Sequence, residues 1–273
     1  DEIDSYRDSP SELIFDEFDS LLYPDHPLGR NILGSEKSVK SFSKEQVINF
    51  VKRNYTPERA VLSSVGGINH SEFERLADRH ASNWKGKMDI HSRTTPFVSK
   101  SEIKHVKKEI HQSHIIIGGE GISIHDKDYT AIVLLNNLLG GPSMNSRLNL
   151  NIRERHGIAY QIESFINSYN DSGIWGIYAG TDQETIDRCH RLIIKELTLL
   201  RDKKLGILQF SKAKTQLLGQ MALAQESNVN MMTSLGKSLL VYNRVDTFKE
   251  IVTKVDAIKI SQIQELAQQI FSS

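Results

Sequence analysis

The chain has 273 residues, 38% hydrophobic and 25% charged, with 34 basic and 34 acidic side chains and a pI near 7.3. That is the composition of a globular protein with room for two domains, and the even charge draws the surface toward neither nucleic acid nor an anionic membrane. The single cysteine, Cys189, excludes an internal disulfide, and no apolar run reaches the ~18 residues of a membrane span.

Residues 11–22 place Leu13, Phe15, Phe18, Leu21 and Leu22 at helical spacing and predict an amphipathic helix. Ser43, with Gln46 three positions on, opens a second helix with a capping box. Residues 59–65 read as a strand, Gly66-Gly67 as a break, and residues 70–84 as a helix carrying Phe73, Leu76 and Ala77. The polar stretch 85–101, which contains Pro96, reads as a linker. Residues 1–95 therefore form a first domain with its linker, and residues 96–273 a second.

The second domain opens with alternation from Ile103 through Ile117, expected as two strands or one bent strand closing at Gly118-Gly119. Asp126 begins a helix to Leu139. Gly140-Gly141 lacks a following Gly-Lys-Ser/Thr and reads as a close turn between helices, not a phosphate loop. A helix over 147–155 precedes two strands, 158–165 and 173–180, joined by the hairpin turn Asn170-Asp171-Ser172-Gly173. Thr181 or Asp182 caps a helix to Leu200, and the chain from Leu205 onward is nearly all helical. His111 and His114 fall three apart in strand sequence and face opposite ways, which is poor geometry for a shared metal. Met221, Met231 and Met232 read as core filler.

An internal repeat organises these elements. Val39, Phe42, Val47, Phe50 and Tyr55 recur, at a constant offset of 216, as Val255, Ile258, Ile263, Leu266 and Phe271, and Gln46 recurs as Gln262. Two copies of one α+β domain are implied, each with helices on one face of an antiparallel sheet. The counterparts of the second copy's opening elements would lie upstream of residue 1, so the first copy is expected to be incomplete. Its apolar side at 11–22 and its strand at 59–65 are then expected to lack partners.

The segment from Ser146 to Tyr160 concentrates the chemistry. Leu148 and Ile152 lie one helical turn apart, Arg153 follows near the helix end, and Gly157 stops the helix before an apolar strand bearing Tyr160. Together with Asn-Asn-Leu-Leu-Gly-Gly at 136–141, this segment resembles the carboxy-terminal domain of the insulinase/pitrilysin-type zinc peptidases, near the mitochondrial processing peptidase branch. The resemblance extends to residues 1–10, Pro24-Asp25-His26-Pro27-Leu28-Gly29-Arg30 and Ile32-Leu33-Gly34, and so covers nearly the whole chain.

The resemblance implies that Arg153 and Tyr160 bind the substrate backbone and help stabilise the tetrahedral intermediate, and that Glu2 matches the third zinc ligand. The metal motif of this group is H-x-x-E-H. None of the ten histidines lies in one, so zinc is expected in an intact parent and not in this chain alone. The expected function is part of a zinc-dependent endopeptidase hydrolysing peptides in a chamber between paired two-domain chains, as a homo- or heterodimer. The alternative is a non-catalytic partner subunit that supplies scaffold and substrate-binding residues. The compartment stays open, with bacterial cytoplasm and periplasm both compatible.

Overall fold

The computed structural model describes residues 2–87, 94–97 and 101–272, so the middle and end of the expected linker, residues 88–93 and 98–100, lie outside the described residues. Its helices and strands run α1 (Glu2–Arg7), α2 (Pro10–Leu22), α3 (Glu36–Ser41), α4 (Lys44–Asn54), α5 (His70–Ala81), β1 (Ser113–Glu120), α6 (Tyr129–Gly140), β2 (Ala159–Ser168), β3 (Gly173–Thr181), α7 (Ile186–Asp202), α8 (Ile207–Gln225), α9 (Asn228–Tyr242), α10 (Phe248–Ala257) and α11 (Ile260–Ile270). A π-helical turn spans Asn149–Glu154.

The chain folds into two compact units. One comprises Asp1–Ser35, Thr94–Thr215 and Lys254–Ser273, and the other Glu36–Arg93 and Gln216–Thr253. This grouping crosses the sequence division at 95/96, because residues up to Ser35 pack with the sheet and the boundaries inside α8 and α10 return part of the carboxy-terminal half to the other unit.

The first unit is built on an antiparallel sheet in the order β1-β3-β2, with β3 buried along its whole length. The β2–β3 hairpin closes through the turn read from the sequence, Ser168 pairing with Gly173. Residues 101–112 do not extend the sheet: Ile103 is 80% exposed, and alternation alone makes no strand without an edge to pair with. One face of the sheet, with Ile162, Trp175, Ile177 and Ala179, lies under α6 and α7, and α11 packs against both helices. Ile177, Ile193 and Ile263 are fully enclosed there, each such burial stabilising by about 1.5–3 kcal/mol.

The opposite face carries α2, whose apolar side was expected to lack a partner and instead has one. Phe15 packs on Phe165 at 5.2 Å and on Tyr178 at 5.5 Å between ring centroids, and Phe18 meets Phe165 edge-on at 6.3 Å. Gly118 makes this possible: a Cβ there would lie 2.8 Å from the Phe18 ring. Tyr23, fully buried behind α2, donates its hydroxyl to the Gly173 carbonyl at 3.2 Å. The sequence expectation failed because it assigned α2 to its own copy's sheet, whereas Phe165 and Tyr178 on the second copy's sheet offer an equally apolar surface.

Helix α6 starts at Tyr129, three residues later than expected, because Asp126 turns the chain first by accepting from the Asp128 amide at 2.8 Å. Helix α7 likewise starts beyond Thr181 and Asp182, with Thr185 at its N-cap.

In the second unit, α4 opens with the expected capping box: Ser43 and Gln46 exchange bonds at 3.2 and 2.8 Å. Helix α5 is capped by Asn69, which accepts from the Glu72 amide at 2.8 Å. The expected strand at 59–65 does not form. Pro57–Arg59 makes a 3-10 turn and residues 60–65 join no sheet, Ser63 instead donating to the Met232 carbonyl on α9 at 3.0 Å. A strand requires a neighbour's backbone groups, and no described strand lies beside this one.

Candidate functional site

Arg153 and Tyr160 line one open depression together with Gly141, Pro142, Met144, Asn149 and residues 161–163. Two departures from regular backbone deliver them. Arg153 lies in the π-helical turn, where one extra residue per turn re-aims a side chain. Below it, Leu148 and Ile152 are fully buried, as their one-turn spacing implied. Arg147 ties the segment to α7 through a largely buried ion pair, its Nε and Nη2 donating to Glu196 Oε2 at 3.1 and 2.9 Å. Gly157 ends the helix in the left-handed region, φ 62°, with its amide donating to the Arg153 carbonyl at 2.9 Å.

Tyr160 is the extra residue of a β-bulge. Gln161 pairs with Gly180, but it is Ala159, not Tyr160, that pairs with Thr181. Ala159 and Ile162 are therefore both buried, while the two residues between them are both exposed. Tyr160 is 61% exposed and donates its hydroxyl to Asp182 Oδ1 at 2.8 Å. That bond and the negative charge of Asp182 raise the phenol pKa above its ordinary value.

Asp182 was not expected at the site. It follows β3 directly, and simple alternation from the hairpin turn would have set Tyr160 opposite Thr181; the bulge leaves the phenol within reach of Asp182 instead. The backbone beneath Asp182 is fixed. Thr181, fully buried, donates to the Ile158 carbonyl and lies 2.7 Å from Thr185 Oγ1, and the Thr185 amide donates to the Asp182 carbonyl at 3.0 Å.

Glu2 lies on α1 with its residue exposed. No group of three or more His, Cys, Asp or Glu side chains among the described residues could hold a metal, so these residues do not compose a zinc site. His111 falls in a bend before β1, while His114 on β1 makes a 2.9 Å bond between its Nδ1 and the Tyr178 hydroxyl, and burial lowers its pKa. No described helix is long and apolar enough to cross a membrane.

The profile of a protein family described as the peptidase M16 inactive domain matches residues 41–217. The chain is 32% identical over 273 residues to an uncharacterized zinc protease, YmxG, of Bacillus subtilis, covering 100% of this chain and 66% of that protein. It is 28% identical over 287 residues to a probable mitochondrial-processing peptidase subunit beta of Schizosaccharomyces pombe, covering 99% and 61%. The crystal structure of a peptidase M16 inactive domain from Pseudomonas fluorescens superposes with a TM-score of 0.89 at 21% identity, covering 98% of this chain and 64% of that one. The chain thus spans just under two thirds of the length of the relatives it matches. With a family profile matched over more than half its residues, the chain belongs to the peptidase M16 family and carries its inactive domain.

Proposed function

We propose that this chain supplies the substrate-gripping half of a zinc-dependent endopeptidase, with Arg153 and Tyr160 acting on the peptide backbone. The observation that carries the reading is their convergence on one depression through a π-helical turn and a β-bulge, two distortions that regular packing does not require. A guanidinium is a permanent donor and suits a peptide carbonyl in both ground and transition states. A phenol whose pKa is raised keeps its proton and so stays a donor for an oxygen that gains charge during attack.

The names of the relatives, a zinc protease and a processing peptidase, support the reaction class. Glu2 is proposed as one carboxylate of a metal site whose other ligands are not found among the described residues. Beyond Glu2, the part assigned to the described residues is substrate binding. The substrates proposed are short or unstructured peptides taken up in a chamber between paired chains, Arg153 and Tyr160 serving the active site of the partner.

The test is steady-state peptide hydrolysis by the zinc-bearing enzyme that includes this chain. Tyr160→Phe should lower kcat by about 10²–10³ at unchanged zinc content. Arg153→Ala should act mainly on KM. Mixing an Arg153/Tyr160 double variant with a variant lacking the general-base Glu should restore activity in the heterodimer. Wild-type turnover by Tyr160→Phe would abandon the role of Tyr160, and failure to complement despite subunit exchange would abandon the paired-chain arrangement.

A further inference from the structure

We propose that Asp182 is a positioning residue for Tyr160, holding the phenol by its hydroxyl at the rim of the depression until a peptide carbonyl takes over that hydrogen bond. The inference rests on the reading of Tyr160 given above. Being the extra residue of a bulge and 61% exposed, Tyr160 has little packing to choose among its rotamers. The 2.8 Å bond to Asp182 Oδ1 makes that choice, and a carboxylate acceptor makes it a charge-assisted bond. The acceptor is itself anchored, because the turn from Thr181 to Thr185 is held by the buried Thr181 hydroxyl and by the Asp182 carbonyl. The tether is thus a short rigid link from β3 to a side chain of β2.

A phenol has one proton. While it points to Asp182, the Tyr160 oxygen offers only lone pairs to the depression, where Arg153 and Glu163 are the charged neighbours. Turning toward a substrate requires the hydroxyl hydrogen to rotate from Asp182 to the incoming carbonyl oxygen, with the O–H bond intact throughout. Asp182 also opposes ionisation of the phenol, so the donor is present when substrate arrives. Substrate and Asp182 therefore compete for one donor, and the exchange takes place within a fixed geometry instead of among free rotamers.

The experiment has two arms. The first is an alkaline absorbance titration of the 273-residue chain. Asp182→Asn keeps the size and one acceptor oxygen but removes the charge, and should lower the ionisation midpoint of one tyrosine; in a Tyr160→Phe background it should change nothing. No shift, or the same shift in both backgrounds, overturns the tether. The second arm is a kinetic cycle in the zinc-bearing enzyme. Asp182→Ala should lower kcat by about three- to tenfold with KM nearly unchanged, Asp182→Asn should recover part of the loss, and neither should matter once Tyr160 is Phe. Equal losses in both backgrounds would make Asp182 merely structural and overturn the inference. If Tyr160→Phe alone keeps wild-type turnover, the proposed role of Tyr160 falls, and the titration still decides whether the tether exists.

Discussion

Helices α3–α4 and α10–α11 are the same local design in opposite surroundings. Shifted by 216 positions, α4 and α11 share both boundaries, and Gln46 and Gln262 each return a bond to the N-cap amide. Yet Val47 is 53% exposed against 2% for Ile263, and Phe50 59% against 3% for Leu266. Val39 and Phe42 are exposed where Val255 and Ile258 are buried. Helical periodicity and caps therefore specify the helix and its apolar side, while burial depends on α6 and α7, which α11 packs against.

The largest test of this contrast is truncation at matched positions. Leu266→Ala should cost about 2–5 kcal/mol in urea denaturation, because it opens a cavity, whereas Phe50→Ala should cost less than about 0.5 kcal/mol. Similar costs at both positions would show that the α4 face is covered in solution. Next comes the shared glutamine. Gln262 also donates to Asp128 Oδ1 at 2.6 Å, so Gln262→Ala should cost about 1–2 kcal/mol and Gln46→Ala, which loses only a surface cap, about 0.5 kcal/mol.

A third test compares α2, packed on the sheet, with the exposed α4 by their pH response. Burial, followed by the charge of Asp16, pushes the Asp19 carboxyl up to about 6, whereas the backbone and Ser43 bonds at the start of α4 lower that of Glu45. A raised folded pKa means that the folded state holds the proton more tightly, so the Asp19 contribution improves as pH falls from 7 toward the ordinary carboxylate range. Glu45 acts in the reverse sense, its contribution being lost on acidification. Asp19→Asn should stabilise by about 1 kcal/mol at pH 7 and by almost nothing near pH 4 in thermal denaturation. A pH-independent difference would show that Asp19 is solvated.

What the sequence made legible was local. The stop at Gly157, the Ser43–Gln46 box, the 170–173 hairpin turn and the buried pair Leu148 and Ile152 all depend on residues within a few positions of one another. What it hid depended on partners distant in the chain. The alternation at Ile103 found no sheet edge, residues 59–65 found no neighbouring strand, and Phe15 and Phe18 found Phe165 some 150 residues away. Asp182 was hidden for a third reason: its reach to Tyr160 depends on a one-residue slip that no propensity reports. The buried-exposed-exposed-buried order of Ala159 to Ile162 is the trace of that slip, since a plain strand would alternate.

That slip makes the interval between Arg153 and Tyr160 a fixed length instead of a loose spacer. Deleting one residue on the helical side would rotate Arg153 by about 100° about the helix axis, and deleting one on the strand side would restore simple alternation, keeping Ala159 and Ile162 buried but abolishing the bulge that brings the phenol to Asp182. Point substitutions across residues 154–159 leave the count intact, whereas a single-codon insertion or deletion does not. In a library of variants this stretch should accept changes of letter far more readily than changes of length.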